Sequence, residues 1–180
     1  MKDLSLHILD IVQNSISAGA NLIQIAIREN PGQDSFLLTI TDDGKGMDKA
    51  ELEKVTDPFY TSRTTRKVGL GIPLLKLNAE RAGGELVIQS EPGKGTRIEA
   101  WFQFSHIDRI PSGDLAGTIS LLVSANPSIE FIYSHTTARG EYIFSTKEVK
   151  EVLGDIPISE SSVYPLIKEL ISTNLKEIEA

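Results

Sequence analysis

From Leu4 to Ala18 apolar residues recur at helical spacing, with Ile8, Leu9, Val12 and Ile16 on one stripe. His7, Asp10, Gln13, Asn14 and Ser17 share the opposite stripe, and Gly19 supplies a stop. Polarity then alternates along Leu22 to Ile27 and again along Phe36 to Thr41. With Asn30-Pro-Gly-Gln-Asp34 between them, these runs predict a hairpin. Asp48 to Val68 is polar and lacks a sustained period, and it carries Lys49, Lys54, Arg63, Arg66 and Lys67. A loop of that length inside a compact domain is usually functional, often a lid. A helix is predicted from Ile72 to Ala82, with Pro73 in its first turn and Gly83-Gly84 ending it. Glu85 to Ser90 and Arg97 to Phe104 follow as strands, the second with Ile98, Ala100, Phe102 and Phe104 inward.

After Ser105 the texture changes. His106 to Asp114 holds a Pro and a Gly and reads as a linker. A helix is expected over Leu115 to Ala125, then a hairpin of Ile129 to His135 and Glu141 to Ser145. Two more helices follow, roughly Lys147 to Leu153 and Val163 to Ile178. The expected division is a domain at 1–105 and a small α+β module at 106–180.

Composition narrows the function classes. A chain of 180 residues, 40% hydrophobic, can bury one substantial core or one core and an appendage. Its net charge of −7 argues against a surface built to grip DNA or an anionic membrane. The absence of cysteine excludes disulfides and thiolate metal sites. No stretch approaches the ~20 apolar residues of a membrane span, and no signal peptide precedes the first helix. A cytoplasmic protein is expected.

Four motifs occur in order: Asp10-Ile-Val-Gln-Asn14, Asp42-Asp-Gly44-Lys-Gly46, Gly69-Leu-Gly71 and Gly93-Lys-Gly95-Thr96. Asp10 and Asn14 stand one helical turn apart, so both project from one face. An Asn carbonyl is a hard oxygen donor of the kind Mg²⁺ takes. Gly44 and Gly46 permit positive φ and close backbone approach beside Met47. Gly69-Leu70-Gly71 lies where a loop enters a helix, and free N–H groups with the helix dipole attract phosphate there. It is neither a Walker A loop nor a dinucleotide fingerprint. Each motif taken alone has a plainer reading: the wet face of a helix, an Asp-Gly turn, close packing, a hairpin turn.

Taken together and in sequence, the motifs over residues 4–104 resemble the nucleotide pocket of the GHKL ATPases. That family groups gyrase, a heat-shock chaperone, the sensor histidine kinases and the mismatch-repair ATPase. The segment from Asn14 to Ala20 resembles the mismatch-repair branch, with Ser17 where that branch usually has Asp. The run from Gly69 to Thr96 resembles a histidine-kinase catalytic domain, with Ala18 where many such kinases carry a second Asn. Asp57-Pro58-Phe59-Tyr60-Thr61-Ser62 resembles the aromatic segment of the kinase lid.

The resemblance implies a two-layer α+β sandwich of the Bergerat type, with helices on a mixed sheet and ATP beneath a lid. It implies that Asn14 ligates Mg²⁺ and that Asp42 accepts a hydrogen bond from the adenine amino group. Thr96, Gly44, Gly46 and Met47 would line the base. Arg63, Lys67, Gly69, Leu70 and Gly71 would meet the phosphates. Hydrolysing members carry Glu at the position of Asp10, so this chain's carboxylate is shorter in reach by about 1.5 Å. Binding is therefore expected to persist and hydrolysis to be slow.

No hairpin bearing a phospho-accepting His precedes the first motif, so phosphotransfer to, or regulation of, a separate protein partner is the leading expectation. The alternatives are an ATP-driven dimerising clamp and a non-hydrolysing ATP/ADP sensor, with a homodimer among the expected partners. Of the histidines, His7 is expected to cap or solvate the first turn, with orientation of Asp10 or a water as the other reading. His106 and His135 carry no expected role. Lys147 to Gly154 followed by Ser159 to Tyr164 has the outline of a helix-turn-helix. Its second helix carries Glu160, Lys168 and Glu169, which argues against DNA reading and for protein docking or dimerisation.

Overall fold

The first helix begins where Asp3 folds back to accept the Leu6 amide and the Ser5 hydroxyl, an N-cap that opens α1 (Leu4–Ser17). In this computed structural model, which describes residues 1–55 and 70–180, α1 buries Leu4, His7, Ile8, Ile11, Val12 and Ser15. The core-facing stripe is therefore rotated from the one expected: Leu9 and Ile16 are only partly buried, and His7 is inside rather than solvated. Expectations for 57–62, Arg63, Arg66, Lys67 and Gly69 fall outside the described residues.

The hairpin forms as β1 (Leu22–Asn30) and β2 (Ser35–Asp42), joined by a single turn of 3₁₀ helix at Pro31–Gln33. Asn30 caps that turn through the Gln33 amide, and Asp34 takes the left-handed conformation that brings the chain back. The polar stretch after Asp42 is not wholly irregular. It contains α2 (Lys49–Lys54), started by a capping box in which Asp48 and Glu51 bond each other's backbone. Next come α3 (Gly71–Arg81), β3 (Glu85–Glu91) and β4 (Gly95–Gln103), close to the predicted bounds. The chain then runs through α4 (Leu115–Ala125), β5 (Glu130–Thr137), β6 (Gly140–Ser145), α5 (Thr146–Leu153) and α6 (Val163–Glu177).

Among the described residues the six strands form one sheet in the order β3-β4-β2-β1-β5-β6. Every pairing is antiparallel except β1 with β5, so the sheet is mixed, as expected for a two-layer α+β sandwich. One face carries Ile23, Ile25, Ile27, Phe36, Leu38, Ile40, Ile98, Ala100, Phe102, Phe131, Tyr133 and Phe144, all buried. Over this face lie α3, α1, α4 and α6, each in contact with the next in that order. Burying such side chains contributes roughly 1.5–3 kcal/mol each.

The expected boundary at 105/106 falls in the connection from β4 to α4, which is pinned at several points. Asp34 accepts from Gln103 Nε2 at 2.8 Å and from the Ser105 amide at 2.7 Å. The Arg109 guanidinium stacks on Phe36 and Phe104, with its carbon 5.0 and 4.9 Å from the ring centroids. Pro111 and Ser112 carbonyls accept the first two amides of α1. The strands beyond this connection complete the sheet. His135 lies within β5, fully buried, between the Tyr133 hydroxyl and Glu29 of β1, each at 2.8 Å. Burial pushes the Tyr133 hydroxyl above its ordinary range.

This continuity predicts shared unfolding. Ile171 of α6 is fully buried, while the only tryptophan, Trp101, sits on β4. Ile171→Ala should lower the guanidinium midpoint read by Trp101 fluorescence, with a loss of about 2–5 kcal/mol. An unmoved Trp101 transition would mean that 106–180 unfolds separately.

Candidate functional site

Asp42 ends β2 with its carboxylate turned to the helical side, 8% exposed. A carboxylate so buried needs donors, and it has two. Ser15 Oγ donates to Oδ2 at 2.6 Å, and the Gly44 amide donates to Oδ1 at 2.9 Å. Hydrogen bonds to a charged group contribute about 1.5–3 kcal/mol each, so the carboxylate is held in orientation with acceptor capacity left over. Asp43 has a different task. Its Oδ1 accepts the Asn21 and Leu22 amides at 2.7 and 2.9 Å, tying the loop to the start of β1.

Across the sheet, Asp42 pairs with Thr96 of β4, and Thr96 pairs with Ser90 of β3. Ser90 Oγ donates to the Gly95 carbonyl at 2.9 Å and accepts the Met47 amide at 2.8 Å. Its single proton being committed, the 2.9 Å contact with Thr96 Oγ1 has Thr96 as donor. The Thr96 oxygen therefore keeps only acceptor capacity toward the cleft. A shallow open depression of about 160 Å³ at these strand ends takes most of its lining from Thr41, Gln89, Glu91, Lys94 and Arg97, which alternate with the helix-facing Asp42, Ser90 and Thr96, so it opens chiefly on the other face of the sheet.

The glycines of this corner serve the protein's own packing. Gly46 has φ +67°, and a Cβ there would meet the Glu91 carbonyl. Gly95 has φ +93°, and its Cβ would meet the Asp42 carbonyl. Gly44, expected to need positive φ, does not adopt it; its constraint is closeness to Ala18 and Asp42, with a Cβ 3.0 Å from each. The Lys45 amide reaches the Ala18 carbonyl at 2.9 Å, and its carbonyl accepts the Gly93 amide at 2.7 Å. The loop after Asp42 is thus strapped between the end of α1 and the β3–β4 turn.

A second group gathers around the start of α3. Gly71 is buried, and a Cβ on it would occupy the place of the Asp10 carboxylate, so Asp10 rests directly against that first turn. Leu70, just before it, is 38% exposed. Asn14 stands one turn beyond Asp10 on α1, partly exposed and next to Ser15. Among the described residues no group of three or more His, Cys, Asp or Glu forms a metal cluster. Asp10 and Asn14 nevertheless present hard oxygen donors from neighbouring turns, a donor type that fits Mg²⁺.

Ser15 and Ser90 were not among the expected site residues, and His7 was expected first to cap or solvate the start of α1. Ser15 and His7 had a legible signal: with Leu4, Ile8, Ile11 and Val12 they complete one i, i+3, i+4 stripe, so each is a polar residue at a core position. His7 Nε2 lies 3.0 Å from Asn78 Nδ2 and Nδ1 lies 3.3 Å from the Gly71 carbonyl. Burial holds its pKa below the ordinary 6.5, against the opposing pull of the Gly71 carbonyl, Asp10 and Asp3.

The family model described as "Histidine kinase-, DNA gyrase B-, and HSP90-like ATPase" matches residues 2–106. The Non-motile and phage-resistance protein of Caulobacter vibrioides is 30% identical over 111 residues, covering 57% of this chain and 13% of that protein. Sensor protein kinase FleS of Pseudomonas aeruginosa is 36% identical over 89 residues, 49% of this chain and 22% of its own length. The chain thus spans less than a quarter of either relative. Among solved structures, the N-terminal domain of a DNA repair protein matches with TM-score 0.59 at 19% identity, over 86% of this chain and 58% of that one. The Aquifex aeolicus MutL ATPase domain complexed with ADP matches with TM-score 0.50 at 16% identity, over 85% and 69%. These two likenesses concern the fold, and they extend beyond residue 106.

The depressed pKa of His7 fixes the sign of one pH effect. Below its ordinary 6.5 the unfolded chain takes up a proton that the fold resists. This contribution is complete above that pH and is lost as pH falls toward the lower folded value. Urea midpoints measured from about pH 7.5 to about pH 5 should drop, and His7→Gln should flatten the drop.

Proposed function

The chain belongs to the histidine kinase-, DNA gyrase B- and HSP90-like ATPases, and from that premise we propose that it binds Mg²⁺-ATP in the cytoplasm and transfers phosphate to, or regulates, a separate protein partner. The observation that carries the reading is Asp42, a buried carboxylate aimed by Ser15 and Gly44 with acceptor capacity unspent. It would accept the adenine amino proton, which guanine cannot offer at that position. Thr96, with its proton given to Ser90, would accept from the same amine or from a bridging water.

Among the described residues no helix is long and apolar enough to cross a membrane. Asn14 would hold the metal, whose charge screens the triphosphate when bound. Leu70 and Gly71 would offer the unpaired amides of the α3 N-terminus to phosphate. Arg63, Lys67 and Gly69 enter this proposal through the family resemblance. Asp10 would orient the attacking group and take its proton; in the sensor alternative it does neither.

A second reading is the ATP-driven clamp, in which nucleotide drives dimerisation. It is favoured by the likeness to the DNA repair domain and the MutL ATPase domain, which takes in the C-terminal segment as well as the ATPase motifs.

Calorimetry with ATP, ADP and GTP, with and without Mg²⁺, tests the first reading. ATP should bind in preference to GTP, and Asp42→Asn should weaken ATP by tenfold or more, about 1.4 kcal/mol. No binding by the wild type would end the proposal. Sedimentation with a non-hydrolysable ATP analogue separates the clamp, which requires a doubled mass. Turnover measured with Asp10→Glu should rise where the reach of the carboxylate is limiting, and turnover lost in Asp10→Asn excludes the sensor.

A further inference from the structure

His7 is fully buried on α1, one turn before Asp10, and its ring crosses to α3. Asn78 presents its amide nitrogen to Nε2 at 3.0 Å, and an amide nitrogen only donates. Nε2 is therefore the acceptor, and the neutral ring carries its proton on Nδ1. That proton points at the Gly71 carbonyl, 3.3 Å away. One imidazole thus holds α3 at two places, its first residue and a residue two turns on, and so resists both sliding and rotation of α3 along α1.

The first of those places is the one that matters chemically. Gly71 is also the residue against which the Asp10 carboxylate packs. An apolar side chain would fill the volume of the ring without specifying where Gly71 sits. From this geometry we infer that His7 is a positioning residue: in its Nδ1–H form it sets the separation between Asp10 and the first turn of α3. It would thereby govern how the terminal phosphate of ATP is held, while leaving nucleoside recognition at Asp42 alone. The inference rests on the reading of this site as an ATP site. The groups facing the ring are the Gly71 carbonyl and Asn78 from α3, with Asp3, Asp10 and the N-terminal amine as the nearest charges.

Three variants divide the two bonds. His7→Asn places an amide donor where Nδ1 stands and keeps the Gly71 contact. His7→Gln places an amide oxygen near Nε2 and keeps the Asn78 contact. His7→Leu keeps bulk and neither bond. Calorimetry with ATP and with ADP on each should find ADP affinity within about threefold of wild type. The preference for ATP over ADP should fall about tenfold in His7→Leu and His7→Gln, and be largely restored in His7→Asn.

Turnover, where the wild type shows it, should fall by up to about a hundredfold in His7→Leu with little change in KM. Equal ATP-to-ADP preference in folded wild type and all three variants overturns the inference and leaves the ATP reading intact. A wild type that binds neither nucleotide overturns the reading, and the inference with it. Should the variants fail to fold, ¹⁵N NMR of the wild-type His7 ring decides. The Nδ1–H tautomer must be present, and its shifts must move with ATP and stay put with adenosine; any other pattern overturns the inference.

Discussion

A carboxylate that is nearly sealed from water sets the conditions for everything around it. Asp42 is aimed by a hydroxyl from α1 and an amide from the loop that follows β2. Neither donor comes from the sheet that carries Asp42. The site therefore exists only while α1 lies on that sheet at the right height, and only while the loop turns back at Gly44. Removing a donor from such a group leaves a buried acceptor without compensation, which costs more than the bond itself contributed. The straps from Lys45 to Ala18 and from Gly93 to Lys45 make sense in this light, since they fix the same loop from both sides.

The second consequence concerns α1. Along a single stripe it supplies His7 to α3, Ser15 to Asp42, and Ile8, Ile11 and Val12 to the core, while Asp10 and Asn14 flank the cleft. Helix packing and site geometry are thus the same set of contacts. Its first amides are capped by Pro111 and Ser112, residues of the connection to α4, and α4 packs beside it. The segment after residue 105 takes part in placing the helix on which both halves of the site depend, and β5 adds to this by pairing with β1, whose first residue is tied to Asp43.

Much of this was legible in the chain. The elements α1, α3 and α4 and the two hairpins follow from apolar spacing with Gly, Pro and Asn at the breaks, and their bounds differ by a few residues at most. The motif order led to the corner where Asp42, Thr96 and Met47 meet. Other features were read wrongly for physical reasons. Binary hydropathy counts His7 as polar and assigns it to solvent, and it gives Ser15 no place in the core, although burial of a polar group is cheap once its partners are in place. The helix over Lys49–Lys54 hid in a polar stretch because no apolar face marks it, yet its capping box was written at Asp48 and Glu51. Parallel pairing of β1 with β5 joins residues about a hundred apart and leaves no local trace.

Asp10 shows why a side chain's reach is not a property of the side chain alone. The family resemblance implies a Glu at this position in hydrolysing members, against which Asp10 is one carbon short, and on sequence grounds that deficit counts in full. In the folded chain α3 opens with a residue lacking Cβ, and the carboxylate occupies the space a Cβ would have taken. The same contact places a negative charge beside the positive end of a helix dipole, an arrangement that holds the carboxylate in place without a side-chain donor. A longer acid at this position would have to turn away from α3 and toward the cleft. How closely the two helices are held therefore sets where the Asp10 carboxylate lies, and the ring of His7 is among the contacts that hold them.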